Sequence, residues 1–261
     1  MAATDQPIIP EEPVRRDLRP SFHHDLDAVR TDLARMSALV IDKIPRATEV
    51  LLTGDLEGAE LLILADDELD DRAVELEERC YKLLALQAPM ATDLRELISA
   101  LKVIAEIERS ADLAVNICKA ARRIYGHPLD PKLRGLIQKM GEQARNLYVE
   151  ATEAYVARDA ARGAAINDMD SYLDSLQREF IQTIFESHAA GTVDLQVAVQ
   201  LAVVARFYER IGDHAVNIGE KVNYLVTGWM PEHAGAARHR ARLVGEFTPP
   251  LGIPRTDPPG D

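Results

Sequence analysis

The stretch Glu108-Arg-Ser-Ala-Asp112-Leu-Ala-Val-Asn116-Ile117 returns 101 residues later as Glu209-Arg-Ile-Gly-Asp213-His-Ala-Val-Asn217-Ile218. Both copies read E-R-x-x-D-x-A-V-N-I, and each holds two carboxylates four residues apart. Such a pair falls on one face of a helix, about one turn apart. A repeat of this kind in a chain of 261 residues favours two units of ordinary size over one large domain. The low aromatic content of 5% and the abundance of Ala, Leu, Glu and Arg favour helix, and no convincing run of alternating β-branched residues suggests a sheet. The expected fold is all-α: two tandem, similar three-helix bundles made of six long helices, with disordered termini.

The chain in order supports that plan. Residues 1–20, with Pro10, Pro13 and Pro20 among charges, read as a disordered lead-in. Ser21 is a plausible N-cap for a first helix carrying Phe22, Leu26, Val29, Leu33, Met36, Leu39 or Val40, and Ile44 at three-and-four spacing; Pro45 kinks it or ends it early. Gly54-Asp55 reads as a break and restart, and the next helix is expected to run unbroken to about Leu86, with Leu69, Ala73, Leu76, Cys80 and Leu83 buried. Pro89 turns the chain into a third helix, from about Ala91 to Tyr125.

Gly126-His-Pro-Leu-Asp-Pro131 is the clearest internal linker, so the first repeat is placed at 21–126 and the second at 131–227. The second holds helices from about Pro131 to Ala157, Asp159 to Ala189, and from Thr192, read as a cap, to about Thr227. That last helix has a heptad seam of Val197, Leu201, Val204, Tyr208, Ile211, Ala215, Ile218, Val222 and Leu225. Residues 228–261, with Pro249-Pro250 and Pro258-Pro259, read as a Pro-rich disordered tail, and the basic cluster Arg238–Arg242 within it as solvated.

A net charge of −13 argues against non-specific binding to nucleic acid or anionic lipid and suits metal cations or a basic partner surface. The N-terminus lacks the pattern of a secretory signal. The most apolar run, Val197–Ala205, is about half the length needed to span a bilayer, so the expectation is a cytoplasmic protein without membrane insertion. Cys80 and Cys118 form no C-x-x-C pair and read as buried thiols.

Each second helix also holds a D-x-x-x-D pair, Asp66 with Asp70 and Asp170 with Asp174. In an antiparallel hairpin, residues equidistant from the turn lie at similar heights. Asp66 and Asp112 are equidistant from Pro89, as are Asp70 and Glu108; Asp170 and Asp213, like Asp174 and Glu209, are equidistant from the Gly191-Thr192 turn. Each half should therefore bring four carboxylates to one level. Clustered like charges are unfavourable alone. Hard oxygen ligands suit magnesium, manganese or iron, whereas Arg109, Arg210 and other basic neighbours supply the plainer neutralisation. On the helical wheel Glu209, Asp213 and Asn217 fall nearly opposite the Ile211, Ala215 and Ile218 seam, on an accessible outer face. That placement equally fits an ordinary solvated surface. Asn116 and Asn217, one turn further on, either add a carbonyl ligand, orient a carboxylate or face solvent; His214 either adds a nitrogen ligand or does not.

Taken together, Glu209 to Ile218, the variant first copy with Ser110-Ala111 in place of Ile-Gly, Asp66-Asp-Glu-Leu-Asp70 and Leu86-Gln-Ala-Pro-Met-Ala-Thr-Asp-Leu-Arg95 resemble the PhoU family over residues 21 to 227. The resemblance implies two three-helix bundles with metal clusters on their surfaces. Divalent or trivalent ions of iron, manganese or magnesium would be held by Asp66, Asp70, Glu108, Asp112 and Asn116 in one half and by Asp170, Asp174, Glu209, Asp213 and Asn217 in the other. It also implies a non-enzymatic adaptor that negatively regulates phosphate uptake and the phosphate-starvation two-component response. The partners implied are a phosphate ABC transporter ATPase subunit and a phosphate-sensing histidine kinase, and a homodimer is expected from the family. Phe207-Tyr208 departs from the family's usual acidic residue and leucine, while Glu106 keeps an acid at the matching place in the first half, which suggests sites differing in metal number or affinity. The competing function is a carboxylate-bridged dimetal oxidase or phosphohydrolase. Against it, the sequence has no Glu-x-x-His pair of the ferritin-like kind, no H-E-x-x-H and no phosphate-binding G-x-x-x-x-G-K-[S/T] loop.

Overall fold

A computed structural model describes residues 19–229. The expectations for residues 1–18 and 230–261, the basic cluster Arg238–Arg242 included, lie outside the described residues. Among the described residues all regular structure is helical: α1 Pro20–Thr53, α2 Leu56–Leu64, α3 Asp67–Gln87, α4 Thr92–Arg123, α5 Pro131–Ala157, α6 Ala160–Ala189 and α7 Leu195–Thr227. The six-helix plan holds, with the second helix of the first repeat divided into α2 and α3.

Pro20, expected in the lead-in, is the first helical residue of α1, a position where its missing N–H costs nothing. Ser21 makes no cap. The preceding Arg19 is anchored instead, its guanidinium donating to Gln87 O at 2.5 Å and Oε1 at 2.9 Å and lying 4.5 Å from the centre of the Phe22 ring. Val40 faces the core and Leu39 faces out. Pro45 neither ends nor interrupts α1, because Ile44, Ala47, Val50 and Leu51 on both sides of it are buried, and that burial outweighs one lost backbone bond. At the end of α1, Gly54 takes up a left-handed φ of 71°, and Asp55 then caps α2 by accepting from the Gly58 N–H at 2.9 Å.

The break between α2 and α3 carries no Gly or Pro, so the pattern gave no sign of it. Asp66 stands at the start of α3, and Asp67, Glu68 and Asp70 fill the first turn, where free N–H groups favour negative charge. The three helices of the second repeat are each started by an aspartate. Asp130, Asp159 and Asp194 accept from the backbone N–H three residues on, at 2.9, 3.0 and 2.9 Å. Thr192, expected to cap α7, sits in the turn and donates to Ser187 O at 3.0 Å; Asp194 takes the capping place.

Helices α1 to α4 form one bundle and α5 to α7 the other. The bundles meet where α4 packs on α7 and α1 on α5, so one hydrophobic core runs through both. Every residue of the seams read for α3 and α7 is buried. Polar groups tie the halves as well: Thr48 Oγ1 and Tyr208 Oη share a hydrogen bond of 2.7 Å, and buried Glu96 on α4 is paired by Arg158, the residue just after α5, and by Arg30 of α1 at 3.4 Å. Cys80 and Cys118 are free and buried, and burial pushes both thiols up to about 11. No described helix is long and apolar enough to cross a membrane.

Candidate functional site

In the second repeat the expected acids meet. Asp170 of α6 lies against Gly212 of α7, and a methyl group built on Gly212 would fall on its Oδ1. This explains the glycine inside the second signature: only a residue without a side chain lets the carboxylate reach the helix there. Burial, then Asp174, Asp213 and Glu209, raise the Asp170 carboxyl to about 6. Glu209 is raised too, by burial first and then by Asp213, with Asp174 adding to the effect and Arg206, its ion-pair partner, opposing it. Four carboxylates therefore share one place. Yet Asp170 Oδ1 and Glu209 Oε2 are buried without a hydrogen-bond partner among the described residues. Orphaned carboxylate oxygens are costly, and they define what this place lacks: a donor or a cation.

The first repeat brings its acids together as well. Asp70 is raised by burial and then by Asp66 and Asp112; Glu108 is raised by burial and then by Asp70 and Asp112. Asp66, however, is turned inward, buried and ion-paired with the ammonium of Lys43 on α1. Asp112, Asp213 and Asp70 are exposed, while Glu108, Asn116, Asp170, Asp174, Glu209 and Asn217 are half-buried. The exposed Asp112 and Asp213 lie on the accessible face expected for the signatures, and the half-buried members sit deeper, in the groove between the second and third helices of each repeat. Among the described residues, no three His, Cys, Asp or Glu side chains stand close enough together to hold a metal ion as they are placed.

Glu106 is not the extra surface acid that its position suggested. It is buried on α4 between the repeats, where its Oε2 accepts from Asn217 Nδ2 at 3.1 Å and meets His214 Nδ1 at 2.5 Å, with the Arg109 guanidinium 3.8 Å from Oε1. Tyr148 Oη donates to its backbone carbonyl at 3.3 Å. Burial disfavours its charge, but the hydrogen bonds from His214 and Asn217 prevail and hold the carboxyl below the usual range. Asn217 and His214 are therefore directed across the interface at Glu106. His214 Nε2 is buried with no partner among the described residues.

The titration of Asp170 gives a direct check. A carboxyl raised by the fold stabilises it only while protonated: the contribution is whole below the ordinary carboxylate value and is lost as pH rises through about 6. With chelator present, Asp170→Asn should therefore melt higher than wild type at about pH 8 and lose that advantage as the pH falls toward about 4. Circular-dichroism melts across that range measure it. A difference independent of pH would contradict the placement of this carboxylate.

Fold and site together define a helical protein of two tandem three-helix repeats, each carrying an acidic groove formed by its second and third helices. Its sequence matches the PhoU domain model twice, over residues 33–121 and 137–222. The chain belongs to the PhoU domain family. It is 34% identical over 216 residues to the phosphate-specific transport system accessory protein PhoU homolog 1 of Mycobacterium leprae, an alignment covering 82% of this chain and 96% of that protein. It is equally 34% identical to PhoU homolog 2 of Mycobacterium tuberculosis, over 82% of this chain and 100% of the relative. Among solved structures it resembles PhoU from Pseudomonas aeruginosa, with a TM-score of 0.75, 27% identity and coverage of 80% of this chain and 100% of that one. The phosphate transport system regulatory protein PhoU from Streptococcus pneumoniae gives 0.74 and 25% over 80% and 98% of the two chains.

Proposed function

We propose that this protein is a non-enzymatic, metal-binding adaptor that restrains phosphate uptake and the phosphate-starvation response, contacting a phosphate ABC transporter ATPase subunit and a phosphate-sensing histidine kinase from the cytoplasm. What supports the regulatory role is the near end-to-end similarity to accessory proteins of phosphate-specific transport. What supports the metal is the pair of buried, partnerless oxygens of Asp170 and Glu209 beside Asp174 and Asp213. Carboxylates in that setting are hard ligands for magnesium, manganese or iron. The set Asp66, Asp70, Glu108 and Asp112, with Asn116, is the corresponding candidate in the first repeat.

The dimetal-enzyme reading is the less favoured one, because the relatives that span most of this chain are accessory proteins of phosphate transport. The adaptor is tested by passing the cytoplasmic parts of a phosphate-sensing kinase and of the transporter ATPase over the immobilised protein. Specific retention of either is the expected result, and retention of neither sinks the proposal.

A further inference from the structure

The two acidic grooves are not equivalent, and the difference lies in what neutralises them. The offset of 104 residues that carries Asp66 onto Asp170 and Asp70 onto Asp174 carries Lys43 onto Leu147. The structure bears out that correspondence. Lys43 of α1 reaches Asp66 and forms a buried ion pair with it, whereas Leu147 of α5 packs its Cδ1 toward Gly212, at the same corner as Asp170 Oδ1. One repeat thus places an ammonium beside its innermost acid; the other places an isobutyl group there.

Helix geometry deepens the contrast. The first repeat is broken at Ala65-Asp66, so Asp66 stands at the start of α3 and Asp70 in its first turn, where the helix N-terminus stabilises negative charge. Helix α6 runs unbroken from Ala160 to Ala189, so Asp170 and Asp174 lie in its interior with no helix end to help them. The unsatisfied atoms follow the same division. Asp170 Oδ1 and Glu209 Oε2 are buried without a partner in the second groove, whereas in the first the innermost acid, Asp66, is paired and Asp70 and Asp112 are exposed to water.

We infer that Lys43 takes Asp66 out of the first groove's ligand set by standing where a cation would be needed, and that added metal is held chiefly by Asp170, Asp174, Glu209 and Asp213 of the second. This rests on the metal reading proposed above and departs from it in one respect: two similar signatures do not make two similar sites. Lys43 is a positioning and neutralising residue that subtracts a site from the first repeat.

The experiment uses the full chain, stripped with chelator and titrated with manganese by calorimetry, with bound metal counted after desalting. Asp70→Asn with Asp112→Asn, in the first groove, should leave the dissociation constant within about twofold of wild type. Asp170→Asn with Asp213→Asn should weaken it by tenfold or more, since losing even outer-shell partners costs about 10–100-fold. Lys43→Gln should add manganese to the first groove, raising the bound metal per chain. If that variant does not fold, the two double variants, which only remove repelling charges, decide the matter alone. Equal or greater loss from the first-groove variant would overturn the asymmetry while leaving metal binding in place. No manganese bound by wild type or any variant would overturn the metal reading itself, and the asymmetry with it.

Discussion

Glu106→Ala should be the most damaging single truncation at the junction of the repeats, lowering stability by about 3 kcal/mol, because it strands the buried His214 and the half-buried Asn217 and removes the charge they serve. The Nδ1 of His214 and the Nδ2 of Asn217 both converge on one oxygen of this carboxylate, and His214 is buried between α4 and α7. For about 200 ordered residues that loss corresponds to a melting temperature lower by about 10 °C. Glu106→Gln should fall between, since its amide oxygen can still accept from both donors while its NH2, in place of Oε1, faces the Arg109 guanidinium and the charge is lost. The effect should also depend on pH in a known direction. Glu106 is held below the usual carboxylate range, so its contribution is present above that range and is lost as pH falls through it. Melting curves of wild type and Glu106→Ala should converge in acid. A constant gap would mean that packing alone, not the carboxylate, holds this junction.

That network shows where reading the sequence succeeds and where it stops. The heptad seam of α7 was legible because burial imposes a period on the residues, and every member from Val197 to Leu225 is buried. The meeting of Asp170 with Asp213 and of Asp70 with Glu108 was legible because two helices joined by a short turn must run side by side, which makes height a function of distance from the turn. Neither rule reaches across the repeats. How α4 docks on α7 is set by the shapes of whole bundles, so Glu106 looked like one more surface acid and His214 like an optional ligand. Lys43 was hidden for a related reason. A lone lysine beside Val40, Ile44 and Ala47 reads as the polar edge of a helix, and only the inward turn of Asp66 at an unmarked helix break makes it a counterion. The caps failed locally: Ser21 and Thr192 are good capping residues, but Pro20 and Asp194 compete better for the same helix starts.

The contact between α6 and α7 makes the other large prediction. Asp170 meets Gly212, and seven residues away on both helices, in opposite directions along the chain, Gly163 meets Gly219. Seven residues are about two turns, so both meetings lie on one antiparallel seam. At the second of them backbone touches backbone: a methyl built on Gly219 would stand 2.5 Å from the carbonyl oxygen of Gly163, and one built on Gly163 would stand 2.8 Å from that of Gly219. A carbonyl cannot swing aside as a side chain can, so Gly219→Val should force the helices apart and cost about 2–3 kcal/mol, despite replacing a poor helix former. The control is Gly135, exposed in α5 with nothing near it. There Gly135→Ala should gain up to about 1 kcal/mol from helix propensity alone. Urea unfolding of the two variants separates crowding from propensity. The consequence extends along the seam, because the approach that lets Gly163 and Gly219 touch is the same one that seats Asp170 against Gly212. Widening it should draw Asp170 away from Glu209 and Asp213 and bring its carboxyl back toward the ordinary range. A Gly219→Val protein that keeps wild-type stability would show that the seam is not held by contact between these two backbones.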